Sequence, residues 1–266
     1  MSEIAPVLVG LVDDAGGAPD VVRPAQQALR EAVREHEEAR RSPLAGLLGA
    51  YVVSDQRWAE LGRHLDPEGP WPVCVVNTSG AGGLLACASR SVPGTTVVAL
   101  DSALRDLDAL AGNAARVAAA ATGLSEGVEV YVEIPDTPGW ERAVAVVEAA
   151  GLYAAVRLAA EPARVVRQLS ELVEADLPFR TTGWPPPGAG SLLNLLAAVS
   201  TLVEGGSEAA AAEQLAARDL GAPAQLVRGW DAADAARVRR RLRRVEHPAP
   251  RALAGELIRA GLVSGS

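Results

Sequence analysis

One after another, the apolar runs of this 266-residue chain close on side chains that can carry chemistry: Asp13, Ser54, Asn77, Asp101, Glu133, Arg157, Arg180 and the pair Glu246-His247. Glutamate and arginine are poor helix caps, and burying either costs several kcal/mol per ion unless it is paired. Arg157 and Arg180 suit a fork for a carboxylate or phosphate, with Thr181 beside them. Asp13 and Glu133 suit an acid and a base, or oxygen ligands for a magnesium ion. Asn77 and His247 add hydrogen-bonding groups for a substrate, and Trp184 adds an aromatic wall. A structural account stands beside this one. Glu133 could pair internally with Arg157 or Arg180, while Ser54, Asp101 and Asn77 could cap the helices that follow them.

The stretch Leu177-Pro-Phe-Arg-Thr-Thr-Gly-Trp184 concentrates these features. A short strand carries a cation, breaks at Gly183, and leads through Pro185-Pro186-Pro187-Gly188 into an apolar helix beginning near Ser191. The open amino end of such a helix, with a guanidinium nearby, is how an α/β protein builds a site for an anion.

Composition removes several reaction classes. All 25 basic residues are arginine and there is no lysine. That excludes a Schiff-base aldolase, a covalently held pyridoxal phosphate and a phosphate-loop lysine, each of which needs an amine. Only His36, His64 and His247 are available, too few for a three-histidine metal site once His36, in Arg34-Glu-His-Glu-Glu38, is read as part of a solvated helix face and His64 as lying near a helix end. Cys74 and Cys87 sit in apolar contexts and read as reduced core thiols. A net charge of −8 argues against nucleic acid and anionic membranes as partners. The basic run 237–244 reads as the dipole-compensating carboxyl end of a helix capped by Asp231, with Val238 and Leu242 on its buried side. With no secretory signal and no run of eighteen apolar residues, the expected location is cytoplasmic.

The elements that must position these groups alternate. Strands are expected at 7–12, 48–53, 73–76, 95–100, 128–132, 154–156, 178–180 and, least plainly, 242–245, where Leu226-Val227 competes. Helices are expected at 20–41, after Ser54, after 79–83, and at 104–121, 138–150, 162–175, 191–204, 208–219 and 251–260. Near-continuous apolar strands separated by helices imply a parallel sheet. Eight such units in one chain of this length imply a single-domain (β/α)8 barrel of the TIM type spanning residues 1–266, in which strand carboxyl ends converge. A doubly wound dinucleotide fold is the lesser reading, since Asp13-Asp14 after the first strand would repel a pyrophosphate and no Gly-x-Gly-x-x-Gly follows it.

Asp13-Asp14-Ala15-Gly16, Pro178-Phe179-Arg180-Thr181-Thr182-Gly183, Leu193-Asn194 and the ending 257–263 together resemble an uncharacterised bacterial family common in actinobacteria. Its members share an early Asp-Tyr-Ala-Gly-Leu-Phe-Pro-Pro segment, a late Pro-Phe-Lys-Ala-Thr-Ala-Gly-Leu-His-His segment and a following Phe-Leu-Asn helix. The resemblance implies a TIM-like barrel with a site at the strand ends. The departures fall on reactive groups: Arg180 stands where the family has lysine, Pro186 and Pro187 where it has paired histidines, and Glu246-His247-Pro248 near its Gly-Ser-Cys.

Two functions follow as expectations. One is an intracellular barrel enzyme, lyase- or isomerase-like, acting on a small anionic metabolite without a cofactor or with magnesium. The other is a catalytically degenerate barrel that binds a ligand, a partner protein or a second copy of itself.

Overall fold

A computed structural model describes residues 4–16, 25–65, 69–158, 161–184 and 191–263. Its strands are β1 (Val12–Asp14), β2 (Leu48–Ser54), β3 (Trp71–Asn77), β4 (Thr95–Ala103), β5 (Glu129–Glu133), β6 (Tyr153–Arg157), β7 (Phe179–Thr182) and β8 (Leu242–His247). They are parallel and follow one another in sequence order around a closed barrel. The helices are α1 (Ala25–Arg40), α2 (Trp58–Leu61), α3 (Ala81–Ser89), α4 (Leu110–Ala121), α5 (Trp140–Ala149), α6 (Pro162–Glu174), α7 (Leu192–Val203), α8 (Glu208–Ala216), α9 (Gly221–Arg228), α10 (Ala232–Arg241) and α11 (Pro250–Arg259). The alternation read from the sequence is therefore a (β/α)8 barrel, and residues 242–247 supply its eighth strand. Leu226 and Val227, the competing strand, lie in α9.

By packing, the chain divides into two compact units: Met1–Val12, Glu37–Gly49 and Val156–Ser266 form one, and Asp13–His36 with Ala50–Ala155 the other. In the second unit, the strands read as apolar runs because both faces are covered; residues 50–54 of β2 are buried without a break. One face carries Ala50, Val52, Cys74, Ala99, Tyr131 and Ala155 in a single cluster, brought level by the register Val52↔Cys74 and Cys74↔Ala99. Mostly small side chains there leave room for close packing around Tyr131. Both cysteines are buried, and neither forms a disulfide among the described residues.

Several boundaries differ from the sequence reading, each for a local reason. Residues 7–12 do not form one strand. Pro6 opens a 3-10 turn over Pro6–Leu8, Gly10 takes a positive φ of 58°, and strand pairing begins only at Val12. The helix expected from residue 104 starts at Leu110 because β4 runs on beside β5, pairing Ser102↔Val132 and Ala103↔Glu133. Asp101 consequently lies inside a strand and caps nothing. Ser54 is likewise no cap: Arg57 occupies that position before α2, and the Ser54 carbonyl accepts the Arg57 N–H at 3.0 Å. Asp231 does cap α10, in a reciprocal capping box with Asp234, but the helix ends at Arg241, so Arg243 and Arg244 continue into β8. Among the described residues no helix is long and apolar enough to cross a membrane.

Candidate functional site

In the first unit, β7 is four residues long and wholly buried. Arg180 is its second residue, not its end, and has no exposed surface. Its Nη2 donates to Glu246 Oε2 at 3.0 Å, a partner supplied by β8, which is aligned through Arg180↔Arg244 and Thr181↔Val245. Arg180 thus pairs with Glu246, a partner the sequence reading had not offered.

Beyond Thr182 the chain turns at Gly183, whose φ is +59°. A Cβ there would lie 2.9 Å from Arg157 Cγ and 3.3 Å from its Nη1, so the Arg157 side chain is drawn across the glycine. The Leu158 N–H donates to the Thr182 carbonyl at 2.8 Å, tying the end of β6 to that of β7. Arg157 itself is exposed, the arginine of the two that solvent anions can reach. Next to this turn Trp184 packs on His247, ring centroids 4.7 Å apart at 55°. His247 is buried, and its Nδ1 accepts the Ala249 N–H at 3.0 Å. In the neutral ring that leaves the proton on Nε2, a donor. The hydroxyls of Thr181 and Thr182 are buried without a hydrogen-bond partner among the described residues, a situation that costs about 1–3 kcal/mol per group.

Ser191 caps α7 as expected, its Oγ accepting the Leu193 N–H at 3.1 Å. The same hydroxyl donates to Glu256 Oε1. The positive end of α7 is therefore answered by the protein's own carboxylate. The loop Pro185-Pro186-Pro187-Gly188 lies outside the described residues.

In the second unit, Asp13 is fully buried and its Oδ1 accepts the Ala50 N–H at 2.7 Å, so one carboxylate oxygen holds β1 against β2. Asn77, also buried, organises the turn into α3. Its Oδ1 accepts the Ser79 N–H at 3.1 Å, and its Nδ2 donates to the Gly80 carbonyl at 2.7 Å and to Ser102 Oγ at 3.3 Å. Gly80, not Asn77, is the cap residue of α3. Glu133 is half-buried at the end of β5, where its carbonyl accepts the Leu104 N–H at 2.9 Å.

The sequence reading missed a buried polar pair of this unit. His36 is 2% exposed, not solvated. Its Nδ1 lies 2.8 Å from Asp14 Oδ2, while Asp14 Oδ1 accepts the Gly16 N–H at 2.9 Å. The imidazole packs on Trp71 and Tyr51, with centroids 4.4 Å and 5.1 Å away. A signal existed: Leu29, Val33 and His36 fall on one helical stripe at spacings of four and three, and all three are buried. Among the described residues no group of three or more His, Cys, Asp or Glu is placed to hold a metal ion.

The fold and these strand ends define a parallel (β/α)8 barrel with a polar cluster where β6, β7 and β8 finish. No protein-family profile matches the chain, and no curated protein or solved structure does either.

Proposed function

We propose that the protein is a cytoplasmic barrel enzyme that binds a small anionic metabolite at the ends of β6, β7 and β8 and moves a proton on it, as a lyase or isomerase does. Arg157 holds the anion, Trp184 walls the pocket, and His247 is the acid–base group, since an imidazole changes charge near neutral pH. Arg180 and Thr181 position this group from beneath. Asp13, proposed as a proton carrier from its place after the apolar run 7–12, has one oxygen committed to Ala50. Glu133 stays a candidate only through its strand-end position. The scheme invokes no cofactor.

The observation that carries this reading is the exposed residue Arg157, whose side chain is laid across Gly183. A Cβ there would press on the arginine stem, and the φ of +59° favours glycine, so Gly183 leaves room for that stem at the turn where an anion would arrive. The test is a thermal-shift and calorimetric screen of phosphorylated and carboxylated metabolites on the wild type, Arg157→Met and His247→Gln. An anion that stabilises the wild type but not Arg157→Met is expected. If no anion stabilises the protein beyond the effect of ionic strength, the reading fails.

A second reading, a degenerate barrel that binds without turnover, is favoured by two contacts: Arg180 with Glu246 and Ser191 with Glu256 satisfy internally a cation and a helix end that an anion would otherwise use. Binding that depends on Arg157, with no His247-dependent turnover of the bound compound, would select it.

A further inference from the structure

The helices α7, α9 and α11 frame a cavity of about 250 Å³ lined by Leu193, Leu220, Ala224, Arg228, Glu256 and Arg259. Its floor is aliphatic and its polar groups are three charges. Arg228 and Arg259 end α9 and α11, and a last-turn arginine is what a helix dipole favours. The dipole does not account for both facing one cavity together with a carboxylate. Nor do the three charges neutralise one another. Neither arginine forms an ion pair with Glu256, whose carboxylate is turned to Ser191, and neither has a hydrogen-bond or ion-pair partner among the described residues.

The Arg228 side chain lies beside Gly261. A Cβ on Gly261 would lie 3.8 Å from Arg228 Cδ and 3.7 Å from Nη1, ordinary contact distances, so the arginine rests against that glycine. Its other side lines an adjoining cavity of about 220 Å³ with Trp230 and Val7. Arg259 Nη1 would be 3.3 Å from a Cβ on Gly255, so this guanidinium lies back over the preceding turn of α11. The Arg228 side chain and the Arg259 guanidinium thus each lie beside a glycine and border an aliphatic floor.

We infer that this cavity is a binding site for a small monocarboxylate carried on a compact apolar body. The lining charge sums to one net positive, two arginines against Glu256, which matches a monoanion better than a dianionic phosphate. A guanidinium donates to the two oxygens of a carboxylate side by side. Leu193, Leu220 and Ala224 offer the apolar body a surface to cover. For size, a dry cavity of about 150 Å³ takes a benzene ring. The larger cavity here holds roughly ten non-hydrogen atoms on that scale, the size of benzoate.

Benzoate is the probe, with benzyl alcohol as its uncharged counterpart, each titrated into the full chain by calorimetry and ligand-observed NMR. Benzoate should bind in the millimolar range and benzyl alcohol at least about tenfold more weakly. Arg228→Met/Arg259→Met, which keeps the stems and removes both charges, should weaken benzoate at least about tenfold. Ala224→Leu should block it by filling the floor with the charges intact, so that either variant decides should the other fail to fold. Arg157→Met should bind benzoate as the wild type does, which separates this site from the strand-end anion site. Equal binding of benzoate and benzyl alcohol, unchanged affinity in the double-methionine variant, or no benzoate binding to the wild type would each overturn the proposal.

Discussion

Replacing His36 by leucine tests whether the Asp14–His36 pair anchors α1 to β1. The side chains are 3% and 6% exposed for His36 and Asp14, and Nδ1 and Oδ2 are 2.8 Å apart. Leucine fills a similar volume against Trp71 and Tyr51, so little packing is lost. What changes is Asp14, which keeps only the Gly16 N–H. Removing one partner from a buried hydrogen-bonded pair that contains a carboxylate costs about 3–5 kcal/mol. Because Gly16 still solvates one oxygen, the lower half of that range, about 3 kcal/mol, is expected. Asp14→Asn keeps the geometry but exchanges a charged acceptor for a neutral one, which should cost about 1–2 kcal/mol. His36→Leu with Asp14→Leu leaves no charge to solvate and should recover much of the loss, giving a coupling energy of about 2 kcal/mol. The assay is urea denaturation of the wild type, the single variants and the double variant, followed by tryptophan fluorescence, since Trp71 reports on the site directly. Coupling under about 0.5 kcal/mol, or a His36→Leu variant as stable as the wild type, would refute the anchoring role.

Two further outcomes follow from buried groups. Arg180→Met should cost about 3–5 kcal/mol by taking from Glu246 a fully buried partner, and Arg180→Met/Glu246→Leu should restore most of it; denaturation at low and high salt checks this, and full additivity would show that the pair is not a coupled unit. Burial first, and then the charge of Asp55, hold the Cys87 thiol above its ordinary pKa, with Arg90 partly opposing. The folded chain therefore retains this proton longer than the unfolded one. The thiol's contribution to stability is whole below the unfolded pKa and falls as pH rises through the folded one. Iodoacetamide labelling of Cys87 in the native protein should show a pH midpoint above that of the denatured protein, and a midpoint at or below it would contradict the burial argument.

The barrel was legible because a parallel strand buried on both faces writes a continuous apolar run, and β2, β3, β5 and β6 do so with polar closures at Ser54, Asn77, Glu133 and Arg157. Where the reading slipped, pairing decided the structure and not local composition. Residues 101–103 join β4 because β5 lies alongside them, and Thr181 and Thr182 join β7 because β8 carries the ladder past Arg180. At the amino end the run 7–12 was apolar enough for a strand, yet Pro6 and Gly10 turned the chain before pairing could start. The single proline and the single glycine outweighed the hydrophobicity because each fixes a dihedral that an extended run cannot accommodate.

The site was legible as a class of positions and illegible as a set of roles. Strand carboxyl ends could be found from closures of apolar runs, but whether a polar closure serves the fold or a ligand depends on what it meets, and those partners carry no sequence signature. Asp13 meets a backbone N–H thirty-seven residues away and Arg180 a carboxylate sixty-six away. His36 shows the converse. Arg34, Glu35, Glu37 and Glu38 around it argue for solvent, yet the stripe through Leu29 and Val33 turns it inward, where Asp14 makes its burial tolerable. Charge neighbours along a helix report on the opposite face as readily as on the residue's own. Periodicity alone reports which face is which, so it was the stronger of the two signals at His36. The same criterion leaves Arg157 where the sequence put it: the β6 closure follows three buried residues and is itself exposed, and the glycine beneath it at 183 belongs to the next strand's turn.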